Sequence, residues 1–224
     1  GAQIRYTTNG TVPTASSQQY SGPVTLSNST QLRAQAFVNG TASGAMGTAV
    51  YIARSFDANH DLPLVVMDAY GGGKPNKEQY KDVAALVVDA QGSNASLSKT
   101  PQVATRAGFR LRGQSSSNFE KAPYRLELWD NEGKDADHPF LGMPAEADWV
   151  FRGPFTDKSL LRDAFTYSLG GAMGLSAPRF EFCELYLNLD GGPLSDEDYM
   201  GVYVVSDNIE VGENRVNIAD IKKR

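Results

Sequence analysis

The chain has 224 residues, enough for one medium or two small domains, and its 41% apolar and 21% charged residues are those of an ordinary globular protein. Twenty-one Lys and Arg against 26 Asp and Glu leave a net charge of −5, a surface that repels phosphate backbones and argues against nucleic acid as a partner. No apolar run approaches the roughly 20 residues that a membrane span needs.

Residues 1–53 are rich in Thr, Ser, Gly and Ala. Gln3-Ile4-Arg5-Tyr6-Thr7 reads as a strand ahead of the turn signal Asn9-Gly10. Gln31 to Phe37 alternates with period two, as a half-buried strand does, and Asn39-Gly40 makes a second turn. This argues for a β-sandwich or a piece of one. The run Arg5 to Thr14, followed by Tyr20-Ser21-Gly22-Pro23-Val24-Thr25-Leu26, resembles the chitobiase C-terminal type of Ig-like module, entered after its opening strand. Four Asn-x-Ser/Thr matches, at Asn9, Asn28, Asn39 and Asn94, fit a surface outside the cell and are weak as glycosylation signals.

Residues 54–63 read as a linker into a second domain, 64–224. Leu64-Val65-Val66-Met67-Asp68 and Val83 to Asp89 are expected as strands. Gly71-Gly72-Gly73 lacks the spacing of a phosphate loop and is read as a plain loop. A helix is expected from Asp157 to Met173, with Leu160, Leu161, Ala164, Phe165, Leu169, Ala172 and Met173 as its apolar stripe and Gly174 as its stop. Trp149 is expected to be buried against Leu161 and Phe165 of that stripe. Phe182–Asn188 and Tyr199–Val205 are two more strands. Cys183, the single cysteine, reads as a buried small hydrophobe. Asp196-Glu197-Asp198 reads as a solvated loop. Strands, one helix and two strands suit an α+β domain with the helix packed on a largely antiparallel sheet.

The segment with most chemical content alternates at Phe109-Arg110-Leu111-Arg112 and again at Tyr124 to Trp129, with Gly113-Gln114-Ser115-Ser116-Ser117 between. A small-residue loop lets backbone N–H groups reach phosphate oxygens, and Arg112 and Lys121 could neutralise them. A hairpin with a hydrophilic loop explains the same residues.

Arg112-Gly113-Gln114-Ser115-Ser116, Lys121-Ala122-Pro123-Tyr124-Arg125-Leu126-Glu127-Leu128, Asp148-Trp149-Val150, Asp157-Lys158-Ser159-Leu160-Leu161-Arg162-Asp163, Phe182 to Asn188, Tyr199 to Tyr203 and Asn214-Arg215-Val216-Asn217-Ile218 resemble, in this order, the CotH kinase family. The resemblance implies a secreted atypical kinase that uses ATP with Mg²⁺ or Mn²⁺ to phosphorylate Ser or Thr of a protein substrate. It implies a kinase-like N-lobe here, with Lys121 on the ATP phosphates beneath the Gly113–Ser117 loop and the helix in the place of kinase αC. That helix has no Glu, so Glu184 becomes the candidate partner of Lys121. Asp207-Asn208 stands where the family has Glu-Lys, and Asp207 belongs to the segment expected to touch adenine.

By the same resemblance the metal-holding carboxylates lie in a C-lobe beyond Arg224, so no catalytic or metal residue is assigned here. The chain alone is expected to be inactive, and the rest of its own chain is an expected partner. The competing function is a non-catalytic adhesion or coat protein of the CotH type at the cell surface. Carbohydrate attachment through the first module is a weaker third, with few aromatics to carry it.

Overall fold

The structure, a computed structural model, describes residues 1–90, 92 and 94–218. The first module is one four-stranded sheet, built from β1 (Gln3–Thr7), β2 (Gln18–Gln19), β3 (Thr30–Val38) and β4 (Thr41–Tyr51) in the order β2-β1-β3-β4. The alternation read in Gln31–Phe37 is that of β3, which is paired on both sides. Asn39 takes a positive φ of 51° at the β3–β4 turn, a conformation Asn tolerates better than most residues.

Two short strands, β5 (Asn59–His60) and β8 (Ala95–Ser96), pair with each other in the segment read as a linker and its neighbour. Around them run β6 (Leu64–Asp68), β7 (Lys81–Val88), β9 (Val103–Leu111), β10 (Tyr124–Trp129), β13 (Asp148–Arg152), β14 (Phe180–Asn188) and β15 (Tyr199–Asp207). These seven close into a barrel in the order β10-β13-β15-β14-β6-β7-β9. All pairs are antiparallel except β14 with β6, where Glu184 faces Leu64 and Asn188 faces Asp68. A small hairpin of β11 (His138–Phe140) and β12 (Met143–Glu146) is added to it.

Alternation along each strand sorts the side chains. Val65, Phe109, Leu126, Phe151, Leu185 and Tyr203 are among those that fill the interior. Leu64, Val66, Ala58, Tyr186 and Leu194 form a second cluster outside it. All five residues of β6 are buried because both of its faces are covered.

The expected α+β fold, a kinase-like N-lobe with a helix packed on its sheet, is not what the chain forms. Among the described residues it is a mostly β protein with a single α-helix, α1 (Arg162–Ala172), and the first module is one sheet, not two facing sheets. A barrel fills its interior with its own side chains and leaves no open apolar face for a helix to cover. Accordingly α1 buries only Ala164 and leaves Leu161, Phe165, Leu169 and Met173 exposed. It also starts later than expected. Asp157 draws the preceding residues into a turn, accepting from the N–H groups of Ser159 and, at 2.9 Å, of Arg162, while Leu160 takes a φ of 61°.

Trp149 is fully buried, but its neighbours are Phe140, stacked at 4.9 Å, and Arg215, not the helix stripe.

The first sheet is tied to the barrel by polar contacts. Ser29 Oγ donates to Asp68 Oδ2 at 2.6 Å, Asn131 Nδ2 donates to the Met46 carbonyl at 2.6 Å, and Arg33 donates to the Asn131 carbonyl.

Candidate functional site

Arg112, Gly113, Ser115 and Ser116 lie together where β9 leaves the barrel. Gly113 has a φ of 85°, and a Cβ on it would stand 2.3 Å from Ser116 Oγ, so only glycine fits this turn. The chain then makes a 3₁₀ turn, Ser116–Asn118, pinned by Ser117 Oγ donating to the Gln114 carbonyl at 2.6 Å. Gly113 enters no hydrogen bond among the described residues.

Lys121 follows in the segment before β10, outside any strand. Its backbone runs so close to Gly153 that a Cβ there would fall 2.2 Å from the Lys121 carbonyl oxygen. The ammonium stands 5.3 Å from the ring centroid of Tyr203, whose hydroxyl donates to the Ala122 carbonyl at 3.0 Å. A Cβ on Gly201 would be 3.1 Å from Lys121 Nζ. Lys121 thus reaches over the end of the barrel interior, half-buried. Burial pushes its pKa down, and the Glu184 charge opposes that. Among the described residues no carboxylate stands within ion-pair distance of it.

Glu184 is not that partner. Cys183 and Leu185 point into the barrel, so Glu184 faces out. It accepts from the Tyr199 hydroxyl at 2.6 Å and stands 3.7 Å from His60 Nδ1, while His60 Nε2 and the Tyr186 hydroxyl are 2.9 Å apart. Burial, and then this bond to Glu184, hold the Tyr199 hydroxyl in its neutral form by raising its pKa.

Asp207 lies apart from both. It is six residues beyond Gly201 on β15, about 20 Å along the strand. It accepts from Arg179 Nε at 2.9 Å, from the Arg179 N–H at 3.1 Å and from Arg215. With Asn208, Ile209, Ala177 and Pro178 it lines a small cavity of about 180 Å³.

The structure therefore groups Arg112, Gly113, Ser115 and Ser116 in one turn, holds the Lys121 ammonium against Tyr203 and Gly201, and leaves Glu184 and Asp207 in two other environments. Sequence reasoning missed Gly153, Gly201 and Tyr203. Gly201 did carry a signal, since an isolated glycine inside an apolar strand marks a close approach.

A half-buried ammonium without an ion-pair partner among the described residues, and a glycine turn with serine hydroxyls, are groups whose chemistry suits the phosphates of a nucleotide. For a divalent cation, no three of His, Cys, Asp and Glu converge among the described residues. No helix among them is long and apolar enough to cross a membrane.

These features define a β-barrel protein with a lysine held over one end of its interior. The family model for the CotH kinase protein matches residues 109–224, and that for the chitobiase/beta-hexosaminidase C-terminal domain matches residues 1–48. The first match spans more than half of the chain, which belongs to the CotH kinase protein family. No curated protein matches the chain.

Proposed function

We propose that this chain supplies the ATP-phosphate-holding part of a secreted, atypical protein kinase that phosphorylates Ser or Thr on extracellular or surface proteins. The observation that carries this reading is Lys121: a half-buried ammonium with no carboxylate partner among the described residues, held against Tyr203 and Gly201 in the segment that follows the Gly113–Ser116 turn. Its family membership and the match to a carbohydrate-enzyme module support the kinase class and a place outside the cell. ATP, with Mg²⁺ or Mn²⁺, supplies the phosphoryl group. Lys121 neutralises phosphate charge, the Gly113 turn lets backbone and Ser115 and Ser116 hydroxyls approach, and Tyr203 and Gly201 fix the height of the ammonium.

The test is calorimetric titration of ATP and Mg²⁺ into the wild type and Lys121→Ala, with circular dichroism to confirm the barrel. Binding that falls about tenfold or more in the variant supports the reading. Equal affinity, or none in either, overturns it and favours a non-catalytic CotH-type surface protein.

A further inference from the structure

Arg112 and Arg152 face each other across the mouth of β10. Arg112 N–H donates to the Pro123 carbonyl at 2.9 Å, and Arg152 ends β13, whose Phe151 pairs with Tyr124. Phe151 points into the barrel, so Arg152 points out, away from the interior over which Lys121 reaches. The two guanidiniums are close enough that the Arg152 charge lowers the pKa of Arg112, second only to burial. Tyr167 of α1 completes the cluster, its ring centroid 5.6 Å from the Arg152 guanidinium. Both arginines act on the Tyr167 hydroxyl, whose pKa burial raises.

The Asp163 charge acts on the Tyr167 hydroxyl from within α1, but no acid pairs with either guanidinium. Among the described residues neither Arg112 nor Arg152 has a carboxylate within ion-pair distance, and Arg152 Nε is buried without a hydrogen-bond partner. The nearby Arg125 does not share this state, because Asp148 takes it at 2.7 Å. Placing two like charges together and leaving a buried N–H unmade both cost stability. An anion between them removes both costs. Planar guanidinium forks and a phenol match a group with several acceptor oxygens and a double charge.

We propose that Arg112, Arg152 and Tyr167 form an anion site for a phosphomonoester, separate from Lys121. Its source is either a phosphorylated Ser or Thr side chain or the terminal phosphate of a nucleotide.

The experiment titrates inorganic phosphate, a phosphoserine peptide with its unphosphorylated control, and ATP into the wild type, Arg112→Gln, Arg152→Gln and Lys121→Ala. Inorganic phosphate is expected to bind the wild type and Lys121→Ala alike, and to weaken about tenfold or more in each Arg variant. Arg112 is more exposed than Arg152, so Arg112→Gln keeps the test valid if Arg152→Gln fails to fold. Phosphopeptide binding with the same variant pattern assigns the source to a protein. ATP binding that needs Arg112 and Arg152, with no phosphopeptide binding, assigns it to a nucleotide. Phosphate that does not bind, that ignores both Arg variants, or that is lost in Lys121→Ala overturns the proposal. Loss of ATP binding in Lys121→Ala alone concerns the Lys121 reading and leaves this one standing.

Discussion

The guanidinium of Arg215 stands 4.8 Å from the ring centroid of Trp149, and the two are buried together at the end of β15. Only 1% of the Arg215 side chain is exposed, and its charge is met chiefly by Asp207, which also holds Arg179, with Glu210 farther off at 3.6 Å. Removing one member of a buried pair leaves the other charge uncompensated. Asp207→Ala is therefore expected to cost about 3–5 kcal/mol, read from urea unfolding. Trp149→Ala should cost a similar 3–5 kcal/mol by emptying the space against Phe140. A change below 1 kcal/mol in Asp207→Ala, roughly the worth of an exposed pair, would show that this cluster does not hold the strand end.

The helix stripe leads to the opposite expectation. Phe165 is 67% exposed, although its spacing reads as a core position. Phe165→Gln should change stability by no more than about 0.5 kcal/mol, since glutamine is also the better helix former. A loss of 3 kcal/mol or more, the size of a core truncation, would place this face inside a core.

These two residues show what was legible in the sequence and what was not. Period-two alternation identified β3, β10 and the end of β9, and the apolar run Leu64–Asp68 marked β6 as a strand. Neither pattern says which strand pairs with which. Closure depends on Glu184 meeting Leu64 across most of the barrel domain, and that parallel pairing leaves no local trace. The helix was found for the same reason that its role was misread. A stripe at i, i+3 and i+4 reports amphipathicity, and whether anything covers it depends on the barrel needing a lid. The Gly113 turn could be read from residue types, as a glycine ahead of small polar residues. Arg152 could not, because the absence of a carboxylate beside it is a fact of three dimensions.

Gly153 offers a check on how Lys121 is held. A Cβ there would overlap the Lys121 carbonyl oxygen at 2.2 Å, and neither backbone can yield without displacing the start of β10. Gly153→Ala is expected to lower the melting temperature and to weaken ATP binding together. Overpacking of this kind costs roughly 1–3 kcal/mol. A variant with wild-type melting and wild-type affinity would mean that the close approach does not position Lys121.

Cys183 is fully buried in the barrel interior, and burial raises its thiol pKa well above the usual range. Since the thiolate is the reactive form, the native protein should not react with a thiol reagent over the time in which the unfolded chain reacts completely. Rapid labelling without denaturant would show that the interior opens locally.

The last prediction concerns Asp68, at the seam between the first sheet and the barrel. Its side chain is fully buried and accepts from Ser29 Oγ at 2.6 Å, the Tyr70 N–H at 2.8 Å and Asn188 Nδ2 at 3.2 Å. Burial raises its pKa; the bonds from Ser29 and Tyr70 oppose that without cancelling it, and the charges of Asp198 and Asp190 add to it. The folded state therefore holds the proton at a higher pH than the unfolded chain, where an aspartate titrates near 3.9. Between those two values the native state binds more protons, so stability falls as pH rises through the folded value and stays reduced at neutral pH. Asp68→Asn removes this titration, while other carboxylates contribute equally to both proteins and cancel in the difference. Urea unfolding of both at about pH 7 and about pH 4.5 measures it. The wild type is expected to gain stability relative to Asp68→Asn on acidification. A constant difference, or one of the opposite sign, would mean that the three donors outweigh burial and hold Asp68 ionised at this seam.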